Sequence, residues 1–338
     1  MTTPGTALTA PPAASLRRIS GFTPTGRLHL GNLLGAMVPT VAGQDTPGTV
    51  VFLSDLHAFT VEHNPATTRA TTIEQATLLL AAGVDPDRSL FYLQSQVPAH
   101  TELHYLLECA TGVGEAQRMI QFKEKSAAQH QVRLSLLTYP VLMAADILLH
   151  QSAEVPVGDD QDQHVELARD VATRFNARYG ATFVVPRAVH PPTAARVMDL
   201  ADPSRKMSKS APSGGGTLFL LDAPDVLRRK VFRAVTDSAS DVRYDPAARP
   251  GVANLLEILS ACVGRSPGDL ADDFDSYGPL KAAVADAVID RVRPIQRRYA
   301  DLAADPAYVR AILRDGAERA RIATADTIHR ARTAIGLL

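Results

Sequence analysis

The chain has 338 residues, 46% of them hydrophobic, which is enough for a large core and favours two domains over one. Its net charge of −1 and pI of about 6.8 argue against a protein that coats DNA or RNA non-specifically, since such proteins are strongly basic. A local basic face for one structured RNA is still permitted. No apolar run is long enough to span a membrane, so we expect no membrane partner.

The cysteine content and the first residues indicate the compartment. Cys109 and Cys262 form no CxxC pair, which predicts reduced thiols with neither a disulfide framework nor a zinc site. Residues 1–16 lack the apolar stretch of a signal peptide and predict a disordered tail. We therefore expect a cytoplasmic protein.

The amino-terminal third predicts alternating strands and helices. The expected order is strand 18–22, helix 28–38, strand 49–53, helix 67–82 and strand 89–93. This alternation implies a parallel sheet covered by helices, and ligands of such sheets bind at the carboxyl ends of the strands. Four polar residues fall at or just after predicted strand ends: His29, Asp55, His57 and Gln94.

The rest of the chain predicts mostly helices. Residues 101–150 are expected to be helical with one break at 112–114, and Asp146 lies in an apolar run among them. An amphipathic helix follows residue 161, and residues 183–185 predict a further strand. The apolar face of that helix comprises Val165, Ala168, Val171 and Phe175. From about residue 221 the pattern is helix after helix, separated by prolines.

Two short segments far apart have the chemistry of phosphate binding. Residues 24–32, PTGRLHLGN, predict a Gly-rich turn running into a helix, where free N–H groups and the positive helix end favour an anion. Residues 206–210, KMSKS, place two ammonium groups on a loop. Each alone also fits a capped turn or a solvated loop. The pair predicts an ATP site.

These two segments resemble the HIGH and KMSKS signatures of class I aminoacyl-tRNA synthetases. The residues between them resemble the bacterial tryptophanyl-tRNA synthetases, and the resemblance extends from about residue 18 to 337. The other segments that carry it are QSQVPAH at 94–100, QFKEKS at 121–126, LTYP at 137–140, MAADILL at 143–149, VPVGDDQ at 155–161 and AVTDS at 234–238.

The resemblance implies a fold, a reaction and partners. It implies a Rossmann-like α/β catalytic domain over 17–220, built on a parallel sheet, and a helical anticodon-recognition domain over 221–338. L-tryptophan and Mg-ATP would give tryptophanyl-adenylate and pyrophosphate, and the tryptophanyl group would pass to the 2′-hydroxyl of the terminal adenosine of tRNA(Trp). The family also implies a homodimer. Mg²⁺ would enter with ATP and have few direct protein ligands.

The resemblance also assigns the ATP site. His29 and Asn32 would touch the phosphates, and Lys206 and Lys209 would neutralise charge as the bond to pyrophosphate breaks. Lys125 would reach the same end of ATP, although a solvated helix face suits it equally. The whole ATP set is Thr23, Pro24, Thr25, Gly31, Asn32, Gly158, Asp159, Asp160, Val197, Lys206, Met207, Ser208, Lys209 and Ser210. The acids at 159–160 also suit a helix cap.

By the same resemblance, Asp146 lies in the tryptophan pocket. An indole N–H only donates, so a carboxylate is a natural acceptor for it, and a buried aspartate costs free energy unless it is hydrogen-bonded. The other pocket residues are Met143, Tyr139, His57, Gln121, Gln161, Val155 and Val157. From the residues alone, Asp146 would equally suit a structural role between helices.

Three alternative functions stay open on the residues. A tyrosyl-tRNA synthetase would use similar chemistry, because a phenol both donates and accepts hydrogen bonds. A non-catalytic paralogue would bind tRNA or tryptophan as a regulator, and a bare adenylyltransferase would lack the long helical carboxyl-terminal part.

Basic residues in the carboxyl-terminal half are candidates for a tRNA face. The set is Arg228, Arg229, Lys230, Arg291, Arg293, Arg297, Arg298, Arg310, Arg314, Arg319 and Arg321. Acidic residues are interleaved with them, which predicts that most form surface ion pairs.

Two pocket positions depart from the family pattern. Ile19 stands where an aromatic residue is frequent, and Thr23 where a longer polar amide is frequent. We expect an active enzyme with altered sensitivity to tryptophan analogues, as in an auxiliary or inhibitor-resistant copy. Inhibition constants of an indole-bearing analogue for the natural chain and for Thr23→Gln should therefore differ, and equal constants would contradict the idea.

Overall fold

A computed structural model describes residues 17–127, 131–158, 161–190, 196–208, 214–239 and 241–338. Three parallel strands pair in the order β1 (Ile19–Phe22), β2 (Val50–Leu53) and β3 (Leu90–Leu93). Two more, β4 (Glu154–Pro156) and β5 (Arg187–Val189), pair in parallel. A parallel bridge from Arg18 to Glu154 sets β4 beside β1. The strands therefore run 3-2-1-4-5, and the order reverses at β1.

The sheet separates two hydrophobic cores. Val51 and Leu53 of β2 lie in one core, and Val50 and Phe52 lie in the other, as the alternation of side chains along a strand requires. All four residues are buried, which explains why this strand is apolar throughout. The predicted parallel α/β sheet is confirmed.

The first helix begins later and ends later than predicted. It consists of α1 (Leu30–Asn32), a π-helical turn (Leu33–Met37) and α2 (Val38–Ala42). It starts at Leu30 because the chain before it is extended: Leu30 N–H donates to Leu218 O, and Leu220 N–H donates to Leu28 O. The backbone pairing therefore joins the first signature to the segment after the second.

Six further helices are described before residue 180. They are α3 (Pro65–Ala82), α4 (Ala99–Glu108), α5 (Val113–Arg118), α6 (Ile120–Ala127), α7 (Leu134–Leu149) and α8 (Asp162–Tyr179). Gly83, at φ +114°, ends α3 where predicted. The segment is broken near the predicted 112–114, but the break covers 109–112 and α5 begins at Val113. Against the single break predicted, the helices are also interrupted at Met119 and at the described residues 131–133. The buried face of α8 is the predicted one.

The predicted strand at 183–185 is wrong. The neighbouring strand is β5, four residues further on, and β4 had not been predicted. Side chains replace a strand ladder here: Asn176 binds the N–H and the carbonyl of Phe183, and Gln151 accepts from Val184 N–H. The Phe183 ring packs on Phe175, 4.8 Å away between centroids. Phe183 is therefore a buried apolar residue of a loop, and the side-chain amides of Asn176 and Gln151 hold that loop in place.

The carboxyl-terminal part is helical, as predicted. Its helices are α9 (Pro224–Phe232), α10 (Pro250–Val263), α11 (Pro267–Ala271), α12 (Tyr277–Ala303) and α13 (Pro306–Ala334). The last helix returns to the sheet and lies on β3: a Cβ on Gly316 would be only 1.9 Å from Phe91 O. None of the helices in the described ranges has the length and apolarity needed to cross a bilayer.

Candidate functional site

Two adjoining cavities lie at the carboxyl ends of β1 and β4. Their volumes are about 710 Å³ and about 350 Å³. They share the lining residues Ser20, Gly21, Thr23, Thr25, Pro156, Val157 and Gly158. This is the point where the strand order reverses, and ligands of open α/β sheets bind there.

The larger cavity brings together every residue of the predicted amino-acid pocket. Asp146, Met143, Tyr139, His57, Gln121, Gln161, Val155 and Val157 all line it. Ile19, Phe52 and Ile147 add apolar walls, and Lys125 lies at the same cavity. An apolar chamber with a few polar groups suits a flat aromatic side chain attached to a charged backbone.

Asp146 is the most constrained group of this cavity. It lies on α7 and is 2% exposed. Its Oδ1 accepts from Gln94 Nε2 at 2.7 Å and from His100 Nδ1 at 2.7 Å, and its Oδ2 contacts His57 Nε2 at 3.0 Å. Because an ionised carboxylate only accepts, both imidazoles must donate to it.

These donors determine the charge of Asp146. Burial by itself would raise the carboxyl pKa, but the hydrogen bonds and charges of His100 and His57 outweigh burial and lower the pKa to about 2. The carboxylate is therefore ionised at neutral pH. Oδ1 has two donors and Oδ2 has one from the described residues, so an acceptor position is left on Oδ2.

A second layer of buried polar groups supports this arrangement. Tyr92 Oη lies 2.9 Å from His100 Nε2 and 2.6 Å from His150 Nε2. Burial lowers the pKa of His150 to about 3 and raises that of Tyr92 well above its usual value, so both are neutral. Because the neutral Tyr92 hydroxyl and the neutral His150 ring can each donate and accept, they complete a buried chain of hydrogen bonds behind His100, which donates to Asp146.

Another part of the cavity lining is an aromatic and amide cluster. Tyr139 Oη donates to Gln121 Oε1 at 3.0 Å and lies 2.9 Å from His164 Nε2. Burial, with the charge of Glu124, raises the pKa of Tyr139 to about 12. Lys125 Nζ donates to Gln121 at 3.0 Å and lies 5.1 Å from the centre of the Tyr139 ring. Lys125 thus lines the cavity while its side chain stays exposed, so the solvated helix face and the position at the pocket both hold.

The smaller cavity is formed by the first turn and the first helix. Four members of the predicted ATP set line it: Thr23, Thr25, Asn32 and Gly158. Gln75 of α3 holds the turn, because its Nε2 donates to the carbonyls of Thr25 and Gly26 at 3.3 and 2.8 Å. Gly35 and Ala36 of the π-helical turn, both without a long side chain, also line this cavity.

Other members of the ATP set lie around the cavities. Pro24 and His29 are buried, and His29 bridges to Phe219. A Cβ on Gly31 would lie 3.1 Å from His29 Nδ1 and 3.6 Å from Val197 Cβ. The space beside Gly31, where the family resemblance implies room for adenine or ribose, therefore borders protein groups.

The lysine loop begins on a short hairpin. Lys206 is exposed and bridges to Met198, whereas Met207 is buried in the hydrophobic core. Ser208 O accepts from the Thr217 hydroxyl at 3.3 Å. Met207 thus anchors the loop by packing. The predicted residues Asp159, Asp160, Lys209 and Ser210 lie outside the described residues.

A cluster of charges joins the two signatures. Asp222 accepts from Arg27 Nη2 at 3.1 Å and from Lys230 Nζ at 2.7 Å. Both cations also lie over the ring of Phe219, at 4.3 and 4.9 Å from its centre. The first turn is therefore fixed to the segment that follows the lysine loop.

The sequence reasoning missed several residues of the site. Gln75, Gly35 and Ala36 line the smaller cavity, and the layer of His100, Tyr92 and His150 lies beneath the larger one. A search for histidines near a buried acid would have found His100, since QSQVPAH had already been singled out. Gln75 has no such signal, because its amide binds main-chain carbonyls.

Buried His150 should make stability depend on pH. Its folded pKa of about 3 lies below the usual 6.5, so the unfolded chain binds an extra proton between these values. Stability should then fall below pH 6.5 by up to about 1.4 kcal/mol per pH unit. Urea unfolding at pH 7, 6 and 5 should give a shallower loss for His150→Gln. The exposed His329→Gln is the control, and equal slopes for the natural chain and His150→Gln would contradict the expectation.

Comparisons with known proteins agree on one family. A profile of the tRNA synthetases class I (W and Y) matches residues 12–292. The chain is 55% identical over 327 residues to tryptophan–tRNA ligase 1 of Streptomyces coelicolor, over 95% of this chain and 97% of that protein. The crystal structure of tryptophanyl-tRNA synthetase from Mycoplasma pneumoniae matches with a TM-score of 0.89 and 34% identity, over 96% and 99% of the two chains. That of the Campylobacter jejuni enzyme complexed with ADP and tryptophan matches with a TM-score of 0.82 and 30% identity, over 95% and 99%. The chain therefore belongs to the class I tRNA synthetases, in their tryptophan–tRNA ligase family.

Proposed function

We propose that this chain activates L-tryptophan with Mg-ATP and transfers it to tRNA(Trp), with the amino acid in the larger cavity and ATP in the smaller one. The observation that carries the proposal is the ionised Asp146 carboxylate in an apolar chamber that opens into the cavity of the phosphate-binding turn. The two reactants would meet at Thr23, Thr25 and Gly158, which line both cavities.

Recognition of the indole follows from hydrogen-bond counting. The position left on Asp146 Oδ2 accepts the indole N–H, and Met143 and Val155 cover the ring. Phenylalanine would leave that acceptor unpaired, so a site of this kind discriminates against it by a factor of up to about 10⁴–10⁵. The tyrosine alternative is not favoured, since the 55% identical relative is a tryptophan–tRNA ligase.

At the ATP end, the residues act by position and charge. The phosphates would lie against Thr23, Thr25 and Asn32 of the smaller cavity. The expectation of free N–H groups at the helix start is not met, because Leu30 N–H donates to Leu218 O and Asn32 N–H to His29 O. Lys125 approaches from the wall of the amino-acid cavity. Lys206 and Lys209 would neutralise the leaving pyrophosphate, with Mg²⁺ arriving on the nucleotide. In the parts of the chain that the structure describes, no cluster of three or more acidic, histidine or cysteine residues could hold a metal. We also propose the cytoplasm as the compartment, because charged tRNA is used there.

Replacing Asp146 tests the proposal. Asp146→Asn turns an N–H toward donors that need an acceptor, so the KM for tryptophan should rise about 100-fold. Tryptophan-dependent ATP–pyrophosphate exchange measures this, with tyrosine and phenylalanine as competing substrates. Because the chain contains no tryptophan, fluorescence of the substrate itself gives its Kd.

The matched control is Asp55→Asn, at the end of β2, where Asp55 binds Ser95 and lines neither cavity. It should keep the KM within about two-fold, as surface changes usually do. No exchange by the natural chain with any of the three amino acids would refute the function. Exchange with tyrosine equal to that with tryptophan would refute the specificity.

We propose that the helices after residue 221 bind the tRNA anticodon arm, with α13 also covering the sheet. Many of the basic candidates form ion pairs with acidic residues, as predicted. Ion pairs within 4 Å involve Arg228, Arg229, Lys230, Arg293, Arg319 and Arg321. Arg297 and Arg298 are exposed on α12, and no ion pair is formed by either with a described residue. They are our candidates for phosphate contacts.

Charge reversal at α12 tests the tRNA face. The double variant Arg297→Glu and Arg298→Glu should raise the KM for tRNA about 10-fold and flatten its salt dependence, because phosphate contacts release counterions. Pyrophosphate exchange without tRNA should stay unchanged. Arg228→Ala, which removes an arginine already paired with Asp286, is the control. An unchanged KM for tRNA in the double variant would refute Arg297 and Arg298 as phosphate contacts.

We also propose a homodimer. Large apolar side chains are exposed on the consecutive helices α4 to α7: Tyr105 at 66%, Val113 at 65%, Ile120 at 57% and Leu134 at 73%. Since α5 and α6 both pack on α7, these side chains supply an apolar surface that a second copy would cover. A mass of 36 kDa in light scattering, that of one chain, would refute the dimer.

A further inference from the structure

A buried asparagine of the helical part holds the hairpin that carries the lysine loop. Asn254 lies on α10 and is 3% exposed. Its Oδ1 accepts from Met198 N–H at 2.9 Å, and its Nδ2 donates to Met198 O at 3.0 Å. One side-chain amide therefore pairs with both main-chain groups of a single residue, as a neighbouring strand would.

The residue it binds is the direct partner of Lys206. Met198 and Lys206 form an antiparallel bridge. On either side, Met207 N–H donates to Val197 O at 3.0 Å and Asp199 N–H donates to Arg205 O at 2.9 Å. The chain of hydrogen bonds thus runs from α10 through one strand of the hairpin to the lysine on the other.

A second contact fixes the same hairpin to the same part of the fold. Val235 N–H, after α9, donates to Leu200 O at 2.8 Å. The start of α10 packs closely there, because a Cβ on Gly251 would lie 2.2 Å from Val235 O. The hairpin is therefore held in position by α10 and by the segment that follows α9.

We propose that Asn254 is a positioning residue for adenylate formation, which fixes the position of Lys206 on a hairpin whose Val197 lies beside Gly31 of the first signature. This rests on the proposed function of the lysine loop. Burying an amide is unfavourable unless its hydrogen bonds are made, and the bonds of Asn254 go to the hairpin backbone. A charge that stabilises a leaving group must be held in place before the bond breaks, so a loosened hairpin lowers the rate while the amino-acid pocket stays intact.

The test separates rate from binding. Asn254→Ala should lower kcat for pyrophosphate exchange about 10- to 100-fold, the usual scale for a misplaced electrostatic group, and leave the Kd of tryptophan, by its fluorescence, within about two-fold. Asn254→Asp keeps the acceptor for Met198 N–H and should fall between. The matched control is Asn176→Ala, which removes equivalent amide-to-backbone bonds to residues 182 and 183 and should leave kcat within about two-fold.

A double-variant cycle shows whether Asn254 acts through Lys206. Added to Lys206→Ala, Asn254→Ala should cost less than about three-fold more, since the group it positions is already gone. Multiplying losses would overturn the proposal, as would an unchanged kcat in folded Asn254→Ala. Loss of the thermal transition or of tryptophan binding in both Asn254 variants would leave only a folding role and also overturn it. An inactive natural chain would instead refute the proposed function.

Discussion

One buried charge determines the shape of the site. Asp146 loses almost all contact with water, and an isolated carboxylate would pay several kcal/mol for that. The donors that offset this cost come from three different places: His57 after β2, Gln94 after β3 and His100 on α4. Satisfying the carboxylate therefore fixes three segments around α7.

The nucleotide side depends on backbone pairing. Its two signatures begin about 180 residues apart. Residues 28–30 meet residues 218–220 through main-chain hydrogen bonds, and Asp222 binds Arg27 and Lys230. Neither contact needs particular apolar side chains. The turn and the lysine hairpin are instead held by Gln75 and Asn254, amides that satisfy carbonyls and N–H groups of loops. Flexible-looking segments thus have defined positions in the fold.

The sequence predicted what local patterns encode. The order of strand-like and helix-like segments predicted β1 to β3, and a helical stretch ending at a glycine predicted α3. The pocket residues came from the family resemblance, and the structure gathers all of them in one cavity, although their roles stay predictions. The Tyr92 and His150 layer could not be predicted, because buried polar networks have no period. The strand prediction at 183–185 failed for a similar reason. Asn176 and Gln151 take the place of a neighbouring strand there, and no pattern in the segment itself shows that.

The packing of α13 on β3 has a consequence for synthesis on the ribosome. Arg321 donates to the carbonyl of Gln96, 225 residues earlier, and Gly316 touches the strand itself. The outer side of β3 therefore stays bare while more than 200 residues are translated, and the strand that leads to Gln94 gains its cover last. Such long-range closure slows folding. The nascent sheet exposes an apolar edge that only the last helix removes, so a chain stalled before α13 would be a natural client for chaperones.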